Sequence, residues 1–421
     1  MISSRVQNSL VVGGSCLLTA HALAQGVLAP LPAQFGPQVS PYQAMAAKPF
    51  ATVPGEAPTP SLSVPPWLEW GPVIARPHLL YRFSYGNGIQ PEPGHQTVTA
   101  IHEFSPGLAL QLGSHWTLDY TPTLRYYSSK QFRNTVDHSV ALTGGTTYED
   151  WLLAFSQSYA SASEPLIETG AQTDTDTYST GLNAVGHLSS AVSLELSLSQ
   201  VFEYVGQGQA GQQLGDSKEW STLDWVNYEF GPKIGAAVGV GFGYIDVQAG
   251  SDMTFEQLQG RITARPGEKL SFVLSGGVDI RQFLDSDESD LVNPILLASA
   301  EYHLFEPSTL FVNAARAVDV AYLQNAVTES TSVSGGVRQR LLKHVNLEVT
   351  GGYTATSYQA GAATGLGSRE DDYTFVGVRL SVAVLKRGRA GVFYQHSNNS
   401  SNELGFGYTS DQGGVELEYR F

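Results

Sequence analysis

The stretch Gly413-Gly414-Val415-Glu416-Leu417-Glu418-Tyr419-Arg420-Phe421 alternates between apolar and polar side chains from Val415 onward. Successive side chains of a β-strand point to opposite faces, so every second residue shares a face. The apolar face then carries Val415, Leu417, Tyr419 and Phe421. The opposite face carries Glu416, Glu418 and Arg420. A strand of this kind is suited to a boundary between an apolar phase and water.

The same period of two recurs along the chain from Val73 onward. It is clearest in residues 115–127, 191–203, 269–281 and 345–354. No comparable helical period competes with it, so these stretches predict antiparallel β-strands. The sequence therefore predicts an all-β protein.

The connections between these strands alternate in length. Short ones are expected near Gly231-Pro232 and Pro266-Gly267, and longer ones near residues 86–96, 161–176 and 205–217. Outer-membrane barrels have short turns on the periplasmic side and long loops outside. The pattern predicts about 18 strands, with 16 as the alternative, because a weak pair is easily miscounted. An even number puts both ends of the barrel on the short-turn side.

Closure of the sheet follows from the cost of an open edge. In lipid, each unpaired backbone N–H or C=O group costs several kcal/mol, so only a closed sheet can span a membrane. We therefore expect a transmembrane, antiparallel, up-and-down β-barrel over residues 73–421, wide enough for an aqueous lumen. A large soluble sandwich is the competing architecture, but it would not separate short from long connections so regularly.

The N-terminal part of the chain differs from the rest. Arg5, the apolar stretch around residues 10–18 and the site Ala22-Leu23-Ala24 predict a signal peptide over residues 1–24. The only cysteine, Cys16, lies within it, so no disulfide is expected in the mature chain. Residues 25–72 are rich in Pro and Ala and predict a periplasmic linker.

Composition limits the functions to be considered. The chain has 421 residues, 15% of them charged, and a formal net charge of −16. Such an acidic chain is a poor ligand for nucleic acid, which needs Lys and Arg contacts to phosphate. The sequence contains no HExxH, GxSxG or P-loop motif, so we expect neither an enzyme nor a cofactor.

Charged residues of both signs are predicted to line the lumen. Opposed charges inside a pore bias which solutes pass, and we consider these residues candidates for selectivity. The alternative is that they pair with each other and only hydrate the wall. By alternation, the inward residues are Arg76, Arg82, Arg125, Arg281, Arg338, Arg340, Arg379, Asp119, Glu195, Asp279, Glu348, Glu416 and Glu418.

Two of the expected long loops are acidic. One carries Glu164, Glu168, Asp174 and Asp176, and the other carries Asp285, Asp287, Glu288 and Asp290. Clustered carboxylates can bind Ca²⁺ or Mg²⁺, but this spacing lacks the glycine and the terminal glutamate of a calcium loop. No metal site is predicted, and the second cluster is only a weak candidate.

The phrase Ile101-His102-Glu103-Phe104-Ser105-Pro106-Gly107-Leu108, continued by residues 116–122, resembles the outer-membrane β-barrel porin family, some members of which occur in exopolysaccharide operons. The resemblance implies a location in the outer membrane of a Gram-negative-type bacterium, with both termini periplasmic and lipid and lipopolysaccharide around the barrel. The aromatic C-terminal strand resembles the signal that the barrel assembly machinery reads. Its residues would be Val415, Leu417, Tyr419 and Phe421.

The expected function is passage of small hydrophilic solutes or saccharides. The alternative is a non-conducting outer-membrane component of exopolysaccharide export or surface attachment.

Overall fold

The computed structural model describes residues 66–421, except 207–213, 249, 285–288, 323–325, 343 and 361–368. The predicted signal peptide and most of the predicted linker therefore lie outside the described residues. A short 3-10 turn, Pro66–Leu68, leads into the first strand, β1, at Glu69–Trp70. No helix in the described part of the chain is long and apolar enough to cross a membrane.

The rest of the described chain is one antiparallel sheet. Its strands are β2 (Val73–Glu92), β3 (His95–Leu112), β4 (Trp116–Tyr127), β5 (Thr135–Tyr148), β6 (Trp151–Leu166), β7 (Ala171–His187), β8 (Val192–Val205), β9 (Ser217–Gly231), β10 (Ile234–Val247), β11 (Met253–Ala264), β12 (Leu270–Phe283), β13 (Leu291–Phe305), β14 (Ser308–Val320), β15 (Ala326–Leu341), β16 (Val345–Ala360), β17 (Arg369–Ala383), β18 (Gly388–Ser401) and β19 (Tyr408–Arg420).

Each strand from β2 onward pairs with the next, and β19 pairs with β2. The closing register sets Glu416 opposite Arg82 and Leu417 opposite Tyr81. The result is a closed antiparallel barrel of 18 strands, which confirms the predicted fold class and strand number. The alternatives of 16 strands and of a sandwich are therefore wrong.

The two ends of the barrel differ in their connections. We call the end with connections such as 149–150, 232–233 and 306–307 the turn end, and the opposite end the loop end. Two loops at the loop end are shorter than predicted. The connection predicted at 86–96 shrinks to residues 93–94, and that at 161–176 shrinks to 167–170. Polar side chains do not prevent backbone pairing, so both strand pairs extend beyond the apolar pattern.

The outer face of the barrel carries an apolar belt. Val240, Leu258 and Val278 lie side by side on three consecutive strands, and between 39% and 57% of each is exposed. Aromatic residues border this belt at both ends. At the loop end, the hydroxyls of Tyr244, Tyr353 and Tyr394 donate to Asp252, Asp372 and Asp411. At the turn end, Tyr148, Tyr228, Phe230 and Phe305 are exposed. Apolar bands flanked by aromatic girdles are typical of barrels in membranes.

Candidate functional site

The charged residues predicted to point inward share the inner face of the barrel. Residues opposite each other in a ladder lie on the same side of the sheet, and Arg82, Glu103 and Arg125 are such partners on β2, β3 and β4. All three are buried, whereas the alternate residues Phe104 and Tyr126 are exposed on the outside. The same alternation places the other predicted residues, from Arg76 to Glu418, on the inner face.

Several of these residues form a continuous row of ion pairs along one wall. Arg82 donates its Nε to Glu416 Oε1 at 2.8 Å, and its Nη1 lies 3.4 Å from Glu103 Oε2. Glu416 also faces Arg379 of β17, with 3.6 Å between Arg379 Nη2 and Oε1. Glu103 continues the row by accepting from Arg125 Nε at 2.8 Å.

Arg125 extends this row by two more carboxylates. Its Nη1 lies 3.0 Å from Asp137 Oδ2, and its Nη2 lies 3.6 Å from Glu164 Oε2. Glu164 is thus an inward residue of β6, and its predicted place in a loop is wrong because β6 continues to Leu166. We call the whole row the charge ladder: Arg379, Glu416, Arg82, Glu103, Arg125, Asp137 and Glu164.

Other predicted lumen residues pair separately. Arg261, which the sequence analysis did not select, binds Glu195 with 2.7 Å between Arg261 Nη2 and Glu195 Oε2. Arg281 binds Asp279 with 3.0 Å between Nε and Oδ1. Arg338 binds Glu348 with 3.2 Å between Nε and Oε1. Positive and negative side chains on the inner wall are therefore paired with each other. Arg76 and Arg340 lie nearer the turn end.

Aromatic rings lie flat on this inner wall beneath some of the arginines. The ring of Trp225 covers Gly239, where a Cβ would stand 2.6 Å from the indole. Glycine permits this close approach because it has no side chain. The guanidinium of Arg261 then stacks 4.2 Å above the same ring. The glycines that alternate along β10 thus form a small-residue strip that keeps bulky rings out of the bore.

The loop 167–170 folds into the barrel at the loop end. Arg369 Nη1 donates to Glu168 O at 2.7 Å, and Nη2 donates to Ile167 O at 3.0 Å. Arg369 belongs to β17, which is separated from β6 by β18, β19 and β2–β5 along the wall. These contacts therefore cross the lumen. Thr169 in this loop is fully buried.

Beside the inward loop lies a cavity that is partly open to solvent. Its lining includes the carboxylates of Glu168, Glu203, Glu219, Asp319 and Asp371. Tyrosines complete the wall, namely Tyr322, Tyr358 and Tyr373. The cavity is thus acidic and aromatic, unlike the paired wall that carries the charge ladder.

Tyr322 lies in the connection between β14 and β15. Burial raises the pKa of its hydroxyl well above the ordinary value, and the nearby carboxylates of Glu203, Glu168 and Asp319 raise it further. The hydroxyl therefore stays protonated at neutral pH.

The sequence-predicted acidic loops are not assembled into a metal centre in the described structure. Asp285, Asp287 and Glu288 lie outside the described residues, so the weak candidate site cannot be placed. Asp174 and Asp176 are residues of β7 and not of a loop. Asp174 binds Arg133, and Asp176 accepts from Tyr159. Among the described residues, no group of three His, Cys, Asp or Glu side chains could hold a metal ion.

Comparison with known proteins finds similarity in structure only. No protein-family profile matches the chain, and no curated protein sequence matches it. Among solved structures, it is similar to OccK2 (OpdF) from Pseudomonas aeruginosa, with 10% identity, a TM-score of 0.47, and coverage of 82% of this chain and 98% of that one.

Two further structures give similar values. The outer membrane protein OpdK from Pseudomonas aeruginosa has 12% identity, a TM-score of 0.45, and coverage of 82% of this chain and 98% of that one. The siderophore receptor PirA from Pseudomonas aeruginosa has 10% identity, a TM-score of 0.43, and coverage of 82% and 80%. These similarities concern the barrel architecture, and the association with exopolysaccharide operons stays a prediction.

Proposed function

We propose that this chain is a porin-like barrel of a Gram-negative-type outer membrane that passes small hydrophilic solutes or saccharides. One observation carries the proposal: the closed sheet has an apolar outer belt and a charged, hydrogen-bonding inner wall. The belt favours hydrocarbon and the inner wall favours water, so water and small polar solutes can occupy the bore.

The orientation of the barrel in the membrane follows from its connections. Short turns face the periplasm in outer-membrane barrels, and longer loops face outside. The C-terminal strand ends at the turn end, beside the point where the N-terminal segment enters the barrel. There the ring centres of Trp67 and Phe421 lie 6.3 Å apart. Both termini of the barrel would then be periplasmic, and the inward loop 167–170 would constrict the external half.

This constriction supports passage of small solutes in preference to large ones. The inward loop and the acidic cavity occupy the lumen at the loop end, and the charge ladder lines one wall. A solute must pass between these surfaces, so size and charge would both determine its rate. Charged side chains that line a pore bias which ions pass through it.

Swelling of proteoliposomes in sugars of increasing size tests the proposal. We expect rapid swelling with a pentose, slower swelling with a disaccharide, and none with a large dextran. Liposomes that carry the heat-denatured protein serve as the control. Folded barrels that admit no sugar of any size would contradict the proposal and favour the non-conducting alternative.

A further inference from the structure

One guanidinium is already bound at the edge of the acidic cavity. Arg369 donates its Nε to Asp371 Oδ1 at 3.0 Å. Its guanidinium carbon lies 4.6 Å from the ring centre of Tyr358 and 3.6 Å from that of Phe406. A carboxylate, two aromatic faces and the loop carbonyls therefore hold this cation inside the barrel. Carboxylates and aromatic rings are the groups that bind ammonium and guanidinium ions in proteins.

Elsewhere the cavity has further carboxylates and a further aromatic ring. Glu203 of β8 and Glu219 of β9 line it together with Asp319 and the ring of Tyr322. In the described part of the chain, no Lys, Arg or His lies within ion-pair distance of Glu203 or Glu219. Arg281, which attracts Glu219 from a distance, donates to Asp279 Oδ1 and to Val318 O.

Two buried polar atoms in the cavity lining also lack partners. The Oδ1 atom of Asn399 has no hydrogen-bond partner among the described residues, although its Nδ2 donates to Phe406 O. The hydroxyl of Tyr373 has none either. Asn399 and Tyr373 are only 2% and 3% exposed. Buried polar atoms are usually satisfied, so these two atoms mark a part of the lining whose hydrogen-bonding capacity the described residues leave unused.

We propose that this cavity, which we call the cation subsite, binds small organic cations that carry an ammonium or guanidinium group. The inference rests on the proposed function, because the cavity lies in the proposed solute pathway. Glu203 and Glu219 would pair with the charged group, and the face of Tyr322 would contact it. Anions of similar size would be repelled by the same carboxylates, so the subsite would favour cationic solutes over neutral and anionic ones.

Equilibrium binding to the refolded full chain in detergent tests the cation subsite independently of conductance. The probe is agmatine, which carries a guanidinium and an ammonium group, and glutarate is the anionic comparison. We expect titration calorimetry at low ionic strength to detect saturable binding of agmatine and none of glutarate. The double variant Glu203→Gln/Glu219→Gln should bind agmatine at least tenfold more weakly.

A matched control separates local binding from the net charge of the barrel. The double variant Glu229→Gln/Glu256→Gln removes the same charge from exposed positions away from the cavity, and it should bind agmatine as the wild type does. A second test variant, Tyr322→Leu, keeps every carboxylate and should weaken binding severalfold. Variants are compared only after their bands shift on heating in a denaturing gel, which reports a folded barrel.

Three results would overturn the inference: no binding of agmatine to the wild type, equal affinity of the wild type and Glu203→Gln/Glu219→Gln, or tighter binding of glutarate. If the wild type passes sugars but fails this test, the proposed function stands without the cation subsite. If it binds agmatine as expected but passes no solute, the subsite stands and the porin role fails.

Discussion

The Nε atom of Arg82 donates to Oε1 of Glu416 at 2.8 Å, although the two residues are 334 positions apart in the chain. They stand opposite each other in the ladder that joins the first and last strands of the barrel, and Glu416 is fully buried. A slip of one residue in this ladder would move Glu416 to the apolar outer face. The pair therefore favours one closing register.

Substitution of this buried carboxylate should weaken the barrel. In Glu416→Gln, the guanidinium of Arg82 keeps its burial and loses the charge of its nearest partner. Breaking one partner of a buried pair typically costs about 3 to 5 kcal/mol. We expect the free energy of unfolding in urea to fall by about 3 kcal/mol. Glu370→Gln, at an exposed position, is the control and should change it little. Equal effects of the two substitutions would contradict the role of the pair.

Removal of Arg369 should release the inward loop. The side chain donates to the carbonyl oxygens of Ile167 and Glu168 across the lumen, and alanine cannot replace either bond. We expect Arg369→Ala to increase the unitary conductance and its open-channel noise in planar bilayers. Lys386→Ala, in an exposed turn at the opposite end, should leave both unchanged. Identical records from Arg369→Ala and the wild type would show that this side chain does not hold the constriction.

A charged side chain introduced into the outer belt should lower the free energy of unfolding of the barrel in lipid. Leu258 lies on the outer face between Val240 and Val278, and it is 57% exposed. An arginine at the lipid-facing centre of a barrel costs about 2 to 4 kcal/mol. We expect Leu258→Arg to lose stability of this size when folded into lipid vesicles, as measured by urea unfolding. Ser193→Arg on the inner face is the comparison and should cost less. The belt would not be in contact with lipid if the two changes cost the same.

Deletion of the terminal aromatic residue should impair assembly in cells. The ring centre of Phe421 lies 6.3 Å from that of Trp67 and 5.2 Å from that of Tyr419. If Phe421 is part of the assembly signal, its deletion should reduce the amount of heat-modifiable barrel in the outer membrane while refolding in detergent persists. Trp67→Ala removes one ring contact and keeps the terminal residue, so it should assemble normally. Normal assembly without Phe421 would remove it from the signal.

Which side chains face the lumen could be predicted, because the alternation of side chains depends only on the sequence of each strand. Glu416 and Glu348 follow the alternation of their own strands, and the structure places both on the inner face. Pairing of each strand with the next one in the chain, and of the last with the first, then gives the closed barrel. The lengths of β6 and β7 could not be predicted, because their polar ends lack the apolar signal that marks a strand within lipid.

The contacts within the lumen could not be predicted from local pattern. The partner of Ile167 is Arg369, and nothing near either residue indicates that the loop turns inward. Glu203 continues the inward series of Glu195, Ser197 and Ser199, so alternation could have identified it. Glu203 was not among the predicted lumen residues, because it stands at the end of β8 beside the loop expected at 205–217.

The most direct test of the central claim is the unitary current of the purified, refolded chain in a planar lipid bilayer. A closed barrel with a wetted, constricted lumen predicts discrete current steps of uniform size that increase with the salt concentration. A protein that inserts into the bilayer, retains its β-sheet circular dichroism and its heat-modifiable band, and never conducts would contradict the account.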